Sequence, residues 1–361
     1  MNILFVIDRL ELKYFEFNDL VTNFWMIKEL LAARQLGSYA AKLMCHCESS
    51  KGFDDEAIQP IYVKNNKKLD CFASAHNDVY ITTIDHLSLK SGIPFAGCYE
   101  TFEKDGDIFY KKELKQFKIN DFELVMFRPD PPVDTDYINA TYIFDFVDRN
   151  KTVILNDPKA IRDFNEKLHA VKFLDLMPEN IVTSSKADIM EFLNEHNEIV
   201  LKPLNGCFGS GVMTLTKGDR NTAVIINTMT DNGKRKLMVQ KYIPMAKYGD
   251  KRVLFLGDEV LDWCIQKLPS NDDFKFNEHC DNNIIKAELT PEEKEKFTPV
   301  ARELNKMGLP MVGLDVIDGK IIEINVTSPC YFIREINHHH GIHLENKINE
   351  FILSKCPTPV L

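Results

Sequence analysis

The sequence contains no long hydrophobic run. Its longest unbroken apolar stretches, such as Ile3 to Ile7, are far shorter than the ~18 residues that indicate a membrane span. The start of the chain, from Met1 to Asp8, has no basic segment and no small-residue cleavage site, so we expect no secretory signal. The sequence therefore predicts a protein with no membrane partner.

The sequence also lacks an excess of positive charge and a pattern of paired cysteines. The 54 Asp and Glu residues outnumber the 44 Lys and Arg residues, and the formal net charge of −10 disfavours a nucleic-acid partner. The nine cysteines are an odd number and mostly stand singly, so we expect reduced thiols in the cytoplasm rather than a disulfide framework. The run Cys45-His46-Cys47 has no second Cys/His pair at zinc spacing. Structural zinc takes four ligands, so we do not expect a zinc site there.

What is present is typical of a globular chain, with 44% hydrophobic and 27% charged residues. Asn2 to Ile7 predicts a buried strand, and the apolar spacing from Leu20 to Gly37 predicts an amphipathic helix. A strand followed by a helix indicates an N-terminal doubly wound α/β domain. Residues 45–118 are harder to interpret, with short strands such as Val79 to Thr82 between polar turns. A further helix is predicted from Thr141 to Val147.

Later elements are mostly strands broken by glycine loops, which favours an α+β second half. Strands are predicted at Glu123 to Phe127, Thr152 to Leu155, Ile199 to Leu201 and Leu237 to Gln240, with hairpins at Arg252 to Leu256 plus Val260 to Ile265 and at Met311 to Asn325. Between the first two of these strands, the prolines of residues 128–134 predict a rigid loop.

Lys202 ends a predicted strand and precedes a loop with three glycines, Gly206, Gly209 and Gly211. A lysine beside several backbone N–H groups can surround a phosphate chain. The lysine comes before the glycines, so this is not a Walker loop. A flexible hairpin turn explains the same glycines, and both interpretations stay open here.

Asp315 and the pair Glu323 and Asn325 lie on the two arms of the last predicted hairpin. Residues two apart on a strand share a face, so Glu323 and Asn325 present oxygen atoms side by side, which suits Mg²⁺. A regular two-residue turn at Asp318-Gly319 would pair Asp315 with Ile322 and put the two acids on opposite faces. The metal hypothesis therefore predicts a bulge or a longer turn; the alternative is a solvated polar face.

Two further groups have a functional and an ordinary interpretation. Arg252, in the run Gly249-Asp250-Lys251-Arg252, either faces water or reaches into a cleft to bind a carboxylate or phosphate. Three consecutive imidazoles cannot share one face of a helix or strand, so we expect His338-His339-His340 to form a surface turn rather than a metal site.

In order and spacing these residues resemble the ATP-grasp carboxylate–amine ligases, and most closely the bacterial glutathione synthetase family. The run Arg128 to Thr135 resembles the family's Arg-Lys-Asp-Pro-Pro-Phe-Asp-Thr, and Arg162 to Leu168 resembles Arg-Asp-x-Asn-Glu-Lys-Leu. Gly249 to Val253 matches Gly-Asp-Lys-Arg-Val, and Glu323 to Pro329 matches Glu-Ile-Asn-Val-Thr-Ser-Pro. The likeness runs from about Phe122 to Glu335.

The resemblance implies a role for each matching position. Lys167 and Lys202 would contact ATP phosphates under the loop of Gly206, Gly209, Ser210 and Gly211, while Gln240, Lys241, Tyr242 and Ile243 would hold adenine and Asp250 would lie near the ribose. Asp315, Glu323 and Asn325 would hold Mg²⁺ or Mn²⁺. Arg252 would stabilise the transferring phosphoryl group, and Arg128, Asp130, Ser328 and Arg334 would join it in contacting the substrate.

The activity implied is the ATP-dependent ligation of γ-glutamylcysteine to glycine through an acyl phosphate. The implied organisation is an N-terminal α/β domain at 1–158, with a substrate-side loop at 128–135, and an ATP-grasp domain at 159–355. The latter would comprise a lid subdomain at about 162–240 and a metal-binding subdomain at about 241–355. Members of the family are often tetrameric, so a homo-oligomer is consistent with the resemblance.

The chain departs from the family pattern on the acceptor side. The family carries a glycine-rich loop with an Arg-Gly-Asn start, whereas residues 269–283 here contain no glycine and more acids than bases. Loss of glycine stiffens a moving loop. Pro129 replaces a family lysine, and Arg9 stands where the family often has proline. Two alternatives follow: a ligase for another carboxylate or amine, or a nucleotide-binding protein without ligase activity.

Overall fold

The computed structural model describes residues 1–9, 22–32, 78–206, 209–269, 284–329 and 331–356. The chain divides into two compact units. Unit 1 comprises Met1–Met126, Val147–Val153 and Glu345–Leu361, and unit 2 comprises Phe127–Phe146 and Ile154–Leu344. The domain boundaries expected from the sequence remain predictions.

Most strands of unit 1 belong to a mixed sheet with strand order β3-β4-β2-β1-β7-β8, while β5 and β6 also pair with β4; the last residue of β7 and the last two of β8 are counted in unit 2. The strands are β1 (Asn2–Ile7), β2 (Asp78–Thr83), β3 (Leu87–Lys90), β4 (Ile93–Lys104), β5 (Asp107–Tyr110), β6 (Lys115–Lys118), β7 (Leu124–Phe127) and β8 (Val153–Leu155). β1 and β2 are parallel, whereas β4 runs antiparallel to β2, β3, β5 and β6. Short 3₁₀ helices span Ile84–His86 and Ile119–Asp121.

Two helices belong with this sheet. Residues 22–32 are helical, and the helix Leu344–Ser354 contributes Asn349, whose side-chain amide donates to the Met26 carbonyl at 2.9 Å. β1 is buried from Ile3 to Ile7, as its unbroken apolar run predicts. Parallel strands with helices confirm the predicted α/β class. The antiparallel strands of residues 87–118 enlarge the same sheet.

The predicted elements of unit 1 agree with the described residues. The strands predicted at Asn2 to Ile7, Val79 to Thr82, Glu123 to Phe127 and Thr152 to Leu155 correspond to β1, β2, β7 and β8. The helix predicted from Leu20 to Gly37 is present over 22–32, and its ends lie outside the described residues. The run Cys45-His46-Cys47, where a zinc site is not expected, also lies outside them.

Unit 2 contains a four-stranded antiparallel sheet with the order β11-β10-β12-β9. Its strands are β9 (Asn180–Thr183), β10 (Glu198–Pro203), β11 (Met213–Thr216) and β12 (Leu237–Lys241). The helices Lys186–His196 and Thr222–Met229 cover one face, where Phe192, Leu201 and Val239 share a buried core. Alternation along the strands therefore places Val200, Lys202, Met238 and Gln240 on the opposite face.

The second sheet of unit 2 has the order β16-β15-β13-β17-β18, with β14 also paired to β13. Its strands are β13 (Asp250–Leu256), β14 (Glu259–Val260), β15 (Trp263–Lys267), β16 (Ile284–Glu288), β17 (Met311–Ile317) and β18 (Lys320–Asn325). The helix Pro291–Lys306 begins at a capping box between Thr290 and Glu293 and buries Phe297, Val300 and Leu304. The helix Ile333–His340 follows β18.

Unit 2 also contains shorter helices, some of which follow the predicted proline loop along the chain. An α-helix spans Thr135–Ile143, a 3₁₀ helix continues over Phe144–Phe146, and a short α-helix spans Pro158–Arg162. Further 3₁₀ helices span His169–Leu176 and Pro244–Tyr248. Among the described residues, no helix is long and apolar enough to span a membrane.

Three local predictions need correction. The helix predicted at Thr141 to Val147 begins at Thr135, because the Asp134 side chain caps it by accepting from the Tyr137 N–H at 2.9 Å. The strand predicted from Val260 to Ile265 is interrupted, since β14 ends at Val260 and β15 begins at Trp263. The three histidines form the last turn of a helix rather than a surface turn, and His340 Nε2 lies 2.8 Å from the Cys264 carbonyl oxygen.

Candidate active site

An irregular hairpin brings two acidic side chains together in unit 2. Ile317 pairs with Lys320 and Val316 with Ile321, but Asp315 pairs with Glu323, so Ile322 is one extra residue on β18. The turn itself has only two residues, Asp318 and Gly319, both with positive φ. The bulge that the metal hypothesis required is therefore present, and Asp315 and Glu323 face each other on one side of the sheet.

Lys167 connects this hairpin to the glycine loop. Its ammonium group donates to Glu323 Oε1 at 2.7 Å and to the Gly206 carbonyl at 2.6 Å, and its side chain is only 5% exposed. The side-chain amide of neighbouring Asn165 donates to the Leu204 carbonyl at 3.0 Å. The segment before Lys167 thus fixes the start of the glycine loop against the acidic hairpin.

Lys202 approaches the same hairpin from the other sheet. It lies on β10, and its ammonium group donates to the carbonyl of the bulged residue Ile322 at 3.2 Å. Burial lowers the pKa of Lys202 to about 8, although the nearby Glu323 carboxylate opposes this shift. Two lysine ammonium groups therefore converge on the bulge from separate elements.

Arg252 and Lys267 form a buried network with two aspartates. Arg252 Nε lies 2.8 Å and Lys267 Nζ 2.9 Å from Asp315 Oδ1, and Lys267 Nζ also lies 2.7 Å from Asp250 Oδ2. Burial alone would raise the pKa of Asp315, but the two cations hold it below its usual range. Burial raises the pKa of Asp250 to about 6, opposed mainly by Lys267.

Lys267 is a site residue that the sequence argument did not identify. It pairs with Asp250 across β13 and β15, and its side chain is 8% exposed. Burial would lower its pKa, but Asp250 and Asp315 outweigh burial and raise it. The sequence offered little signal, because Lys267 follows Gln266 and lies two residues beyond the predicted strand Val260 to Ile265.

Glu166 is a second residue that was missed. One oxygen, Oε1, accepts from the Val326 N–H at 2.7 Å and from both the N–H and the hydroxyl of Thr327 at 3.0 Å. Burial first, and then the charge of Glu323, raise the pKa of Glu166. This carboxylate holds the segment that follows β18, which includes the predicted substrate contact Ser328.

The glycine loop connects two antiparallel strands, so it is a hairpin loop, as one of the two interpretations expected. Gly209 and Gly211 have positive φ, and a Cβ on Gly211 would lie 3.1 Å from the Pro203 ring. Ser210 lies exposed between them. Glycine is therefore required by the backbone at these positions, whichever ligand the loop covers.

The predicted adenine segment, residues 240–243, begins at the end of β12. The Gln240 side chain is buried, and its Nε2 has no hydrogen-bond partner within the part of the chain that the structure describes. A buried amide donor without a partner is costly, which is a reason to expect a ligand beside it. The Lys241 side chain instead pairs with exposed Glu179 at 2.7 Å.

The predicted substrate residues lie in two loops of unit 2. The guanidinium of buried Arg128 donates to the Pro329 carbonyl at 3.0 Å, which joins the proline loop to the segment containing Ser328. Asp130 is partly buried in the same loop. Arg334 lies at the start of the helix Ile333–His340, with its Nη2 2.9 Å from Glu335 Oε1.

The donor atoms present fit a hard divalent cation. The second carboxylate oxygen of Glu323 and the amide oxygen of Asn325 have no partner among the described residues, and Mg²⁺ prefers such oxygen ligands. Both oxygens of Asp315 already accept hydrogen bonds, from Arg252, Lys267 and Asn325. A metal ion at Asp315 would therefore share this carboxylate with the protein's own donors.

Comparison with known proteins decides the family. The family model for the prokaryotic glutathione synthetase ATP-grasp domain matches residues 166–341. The family model for the prokaryotic glutathione synthetase N-terminal domain matches residues 70–162. The glutathione synthetase of Synechococcus elongatus is 39% identical over 297 residues, which cover 79% of this chain and 91% of that protein. The chain belongs to the prokaryotic glutathione synthetase family.

Other relatives and solved structures agree with this assignment. The glutathione synthetase of Salmonella typhimurium is 36% identical over 251 residues, covering 69% of this chain and 79% of that protein. A D-cycloserine synthetase structure matches with a TM-score of 0.59 and 12% identity, covering 98% of this chain and all of that one. A RiPP-associated ATP-grasp ligase from Chryseobacterium gregarium, in complex with ADP and a leader and core peptide, matches with a TM-score of 0.57 and 15% identity, covering 99% of this chain and 98% of that one.

These likenesses confirm the resemblance found in the sequence. The distant solved structures show the ATP-grasp fold, and the family membership makes the chain an ATP-dependent ligase. The converging lysines, the arginine and the acidic hairpin all lie within the matched ATP-grasp region, 166–341.

Proposed function

We propose that this protein is a glutathione synthetase, which joins γ-glutamylcysteine to glycine with ATP and Mg²⁺. The observation that carries the proposal is the convergence of Lys167, Lys202 and Arg252 on the bulged hairpin that carries the facing carboxylates of Asp315 and Glu323. Cations beside oxygen ligands are the groups that phosphoryl transfer requires, because the protein mainly positions the phosphates and neutralises their charge.

The reaction starts with a carboxylate, which is a poor electrophile because it would have to expel oxide. The cysteinyl carboxylate of γ-glutamylcysteine attacks the γ-phosphorus of ATP, so that ADP leaves and an acyl phosphate forms. The glycine amine then attacks the acyl carbon, the amide bond forms, and inorganic phosphate leaves. Mg²⁺ bound to Glu323, Asn325 and Asp315 would supply charge neutralisation at the phosphates.

The chain's own residues would act around these atoms. Lys167 and Lys202 hold ATP phosphates, since both ammonium groups are buried beside the bulge and close to the glycine loop. Arg252 stabilises the negative charge that develops during both steps, because a guanidinium keeps its charge even when buried. The loop of Gly206, Gly209, Ser210 and Gly211 covers the phosphates with backbone N–H groups.

Residues on the neighbouring strands would bind the adenine and the ribose of ATP. Backbone groups of Gln240, Lys241, Tyr242 and Ile243 hold adenine, and Asp250 lies near the ribose. The buried side-chain amide of Gln240 supports this role, because its Nε2 has no hydrogen-bond partner among the described residues and a ligand beside it would supply one. Arg128, Asp130, Ser328 and Arg334, together with Arg252, contact the peptide substrate.

One assay tests the proposed function. Purified protein is given ATP, Mg²⁺ and γ-glutamylcysteine, with and without glycine, and ADP and tripeptide are measured. We expect ADP formation coupled to glutathione only when glycine is present. ATP binding without turnover would contradict the proposal and support a nucleotide-binding protein without ligase activity. The active protein would also be expected to work in the cytoplasm and as a homo-oligomer.

A second candidate is a ligase for a different carboxylate or amine. It is favoured by the segment 269–283, which has no glycine and an excess of acidic residues where the family has a glycine-rich loop. The same assay with a panel of small amines in place of glycine, and of other γ-glutamyl peptides as the carboxylate, separates the two. Product formed faster with another acceptor than with glycine would favour this candidate.

A further inference from the structure

The guanidinium of Arg252 is enclosed by protein groups on several sides. Its Nε and Nη2 point to Asp315, at 2.8 Å from Oδ1 and 3.4 Å from Oδ2, and the residue is 7% exposed. A long side chain has many rotamers, so holding it in one of them requires contacts along its whole length. Two residues besides Asp315 supply such contacts.

Gly313 provides the space in which the guanidinium lies. This glycine is on β17, two residues before Asp315, and pairs with Leu254 and Asn325. A Cβ at Gly313 would lie 2.9 Å from Arg252 Nη1 and 3.2 Å from its Cδ. A side chain at this position would therefore displace Arg252 from its present rotamer.

Phe332 covers the guanidinium with an aromatic ring. Its ring centroid lies 5.4 Å from Arg252 Cζ, within the range of a cation–π contact. Phe332 also has left-handed backbone angles, φ 48° and ψ 48°, at the N-cap of the helix Ile333–His340. A bulky residue is rarely found there, because left-handed backbone angles crowd its Cβ and because N-caps favour small polar residues.

We propose that Phe332 and Gly313 are positioning residues that hold the Arg252 guanidinium for phosphoryl transfer. Strained backbone persists where the surrounding structure gains from it, and here the gain is an aromatic face against a charged group. This inference rests on the proposed function, since it assumes that Arg252 stabilises the reacting phosphoryl group. In this proposal each residue acts through its contact with Arg252 rather than on the reacting atoms.

The first experiment compares three substitutions of Phe332 in the ligation assay. Phe332→Leu keeps apolar volume but removes the ring, and we expect kcat to fall about tenfold with the KM for ATP little changed. Phe332→Trp keeps an aromatic face and should retain most of kcat. Phe332→Gly relieves the backbone strain without restoring the ring, so its kcat should fall as in Phe332→Leu.

Phe109→Leu is the matched control. Phe109 is a half-exposed residue of β5 whose ring stacks on Phe102, so this variant also loses an aromatic contact, but one without a charged partner among the described residues. Its kcat should equal that of the native protein. If Phe332→Leu also keeps native kcat, or if Phe332→Trp falls as far as Phe332→Leu, the positioning role is wrong.

A second measurement reports on the guanidinium without turnover. Phenylglyoxal modifies accessible arginines, and mass spectrometry of peptides gives the rate at Arg252. We expect several-fold faster modification in Phe332→Gly and in Gly313→Ala than in the native protein, because each variant loosens or displaces the side chain. Unchanged rates in both variants would overturn the inference, whatever their activity.

An Arg252→Met background separates this inference from the proposed function. Arg252→Met should itself lower kcat strongly, and Phe332→Leu added to it should lower kcat no further. A full additional loss would mean that Phe332 acts independently of Arg252, which contradicts the inference alone. Native turnover in Arg252→Met would instead remove Arg252 from the proposed mechanism.

Discussion

Asp315 on β17 lies directly opposite Glu323 on β18, because Ile322, just before Glu323, is an extra residue of β18 with no partner in the ladder. In a regular hairpin with the same two-residue turn, Asp315 would face Ile322 and Glu323 would point to the other side of the sheet. One inserted residue therefore places two carboxylates on one face. The same bulge presents the Ile322 carbonyl to the Lys202 ammonium group at 3.2 Å.

The first prediction concerns Glu323. Glu323→Ala should reduce Mg²⁺-dependent turnover at least about a thousandfold, because it removes a proposed metal ligand and the partner of Lys167. The measurement is ADP formation over a range of Mg²⁺ concentrations. Asp318→Asn is the control, since Asp318 lies in the turn with φ 51°, which Asn also tolerates. Near-normal rates in Glu323→Ala would remove the metal assignment.

The second prediction is a pH dependence of ATP binding. Burial lowers the pKa of Lys202 to about 8, so in the ATP-free protein the amine is charged below pH 8 and neutral above it. Bound phosphates favour the charged form, and therefore ATP binding above pH 8 should take up a proton. The apparent affinity should fall as the pH rises through 8, by up to about tenfold per pH unit.

Calorimetric titrations with ATP in buffers of different ionisation heats measure both the affinity and the proton uptake. Lys202→Arg is the control, because arginine keeps its charge throughout this range and should flatten the dependence. Equal ATP affinity of the native protein at pH 7 and pH 9.5 would show that Lys202 does not contact the phosphates through its charge.

Much of this hairpin was predictable from sequence because its constraint is local. The alternation of Glu323 and Asn325 along one strand fixes their shared face, and the requirement that Asp315 join them predicts an irregular register. Glycine and aspartate at 318–319 mark the turn. The limits of the helix near residue 141 were harder, since its start depends on one capping aspartate, Asp134, at the end of a proline loop.

The third prediction concerns the buried lysine. Lys267→Met leaves the buried carboxylates of Asp250 and Asp315 without their shared ammonium group and should lower the free energy of unfolding by about 3–5 kcal/mol. Urea denaturation measures the change. Lys286→Met, on neighbouring β16, removes a half-exposed lysine and should change stability by less than about 0.5 kcal/mol. Equal stability of the two variants would contradict the buried network.

The fourth prediction concerns Glu166. Glu166→Ala removes the acceptor for three donors of Val326 and Thr327, and should lower the free energy of unfolding by about 2–4 kcal/mol. Because these residues precede Ser328, the KM for γ-glutamylcysteine should rise more than the KM for ATP. Glu166→Gln keeps an oxygen acceptor. Its free energy of unfolding should therefore fall less, and its KM for γ-glutamylcysteine rise less, than in Glu166→Ala.

Glu191→Ala gives the baseline for this comparison. Glu191 lies exposed on the helix Lys186–His196, so its removal should change neither stability nor either KM appreciably. If Glu166→Ala behaves like Glu191→Ala, the carboxylate does not order the segment after β18.

Lys267 and Glu166 escaped the sequence argument for a common physical reason. Their roles depend on pairings between distant parts of the chain: Lys267 with Asp315, and Glu166 with Val326 and Thr327. A single sequence gives residue types and local periodicity, but it does not show which distant charges share a buried space. Lys202 was found because its position at a strand end, before three glycines, is a local pattern, and Lys167 because the resemblance implies a role for it.

The most direct test of the account follows the oxygen atoms of the substrate. If ATP activates the cysteinyl carboxylate as an acyl phosphate, γ-glutamylcysteine labelled with ¹⁸O in that carboxylate should transfer one labelled oxygen to each inorganic phosphate released. Mass spectrometry of the phosphate formed with ATP, Mg²⁺ and glycine measures this transfer. Labelled phosphate in step with product supports the mechanism, and product formed with unlabelled phosphate would contradict it.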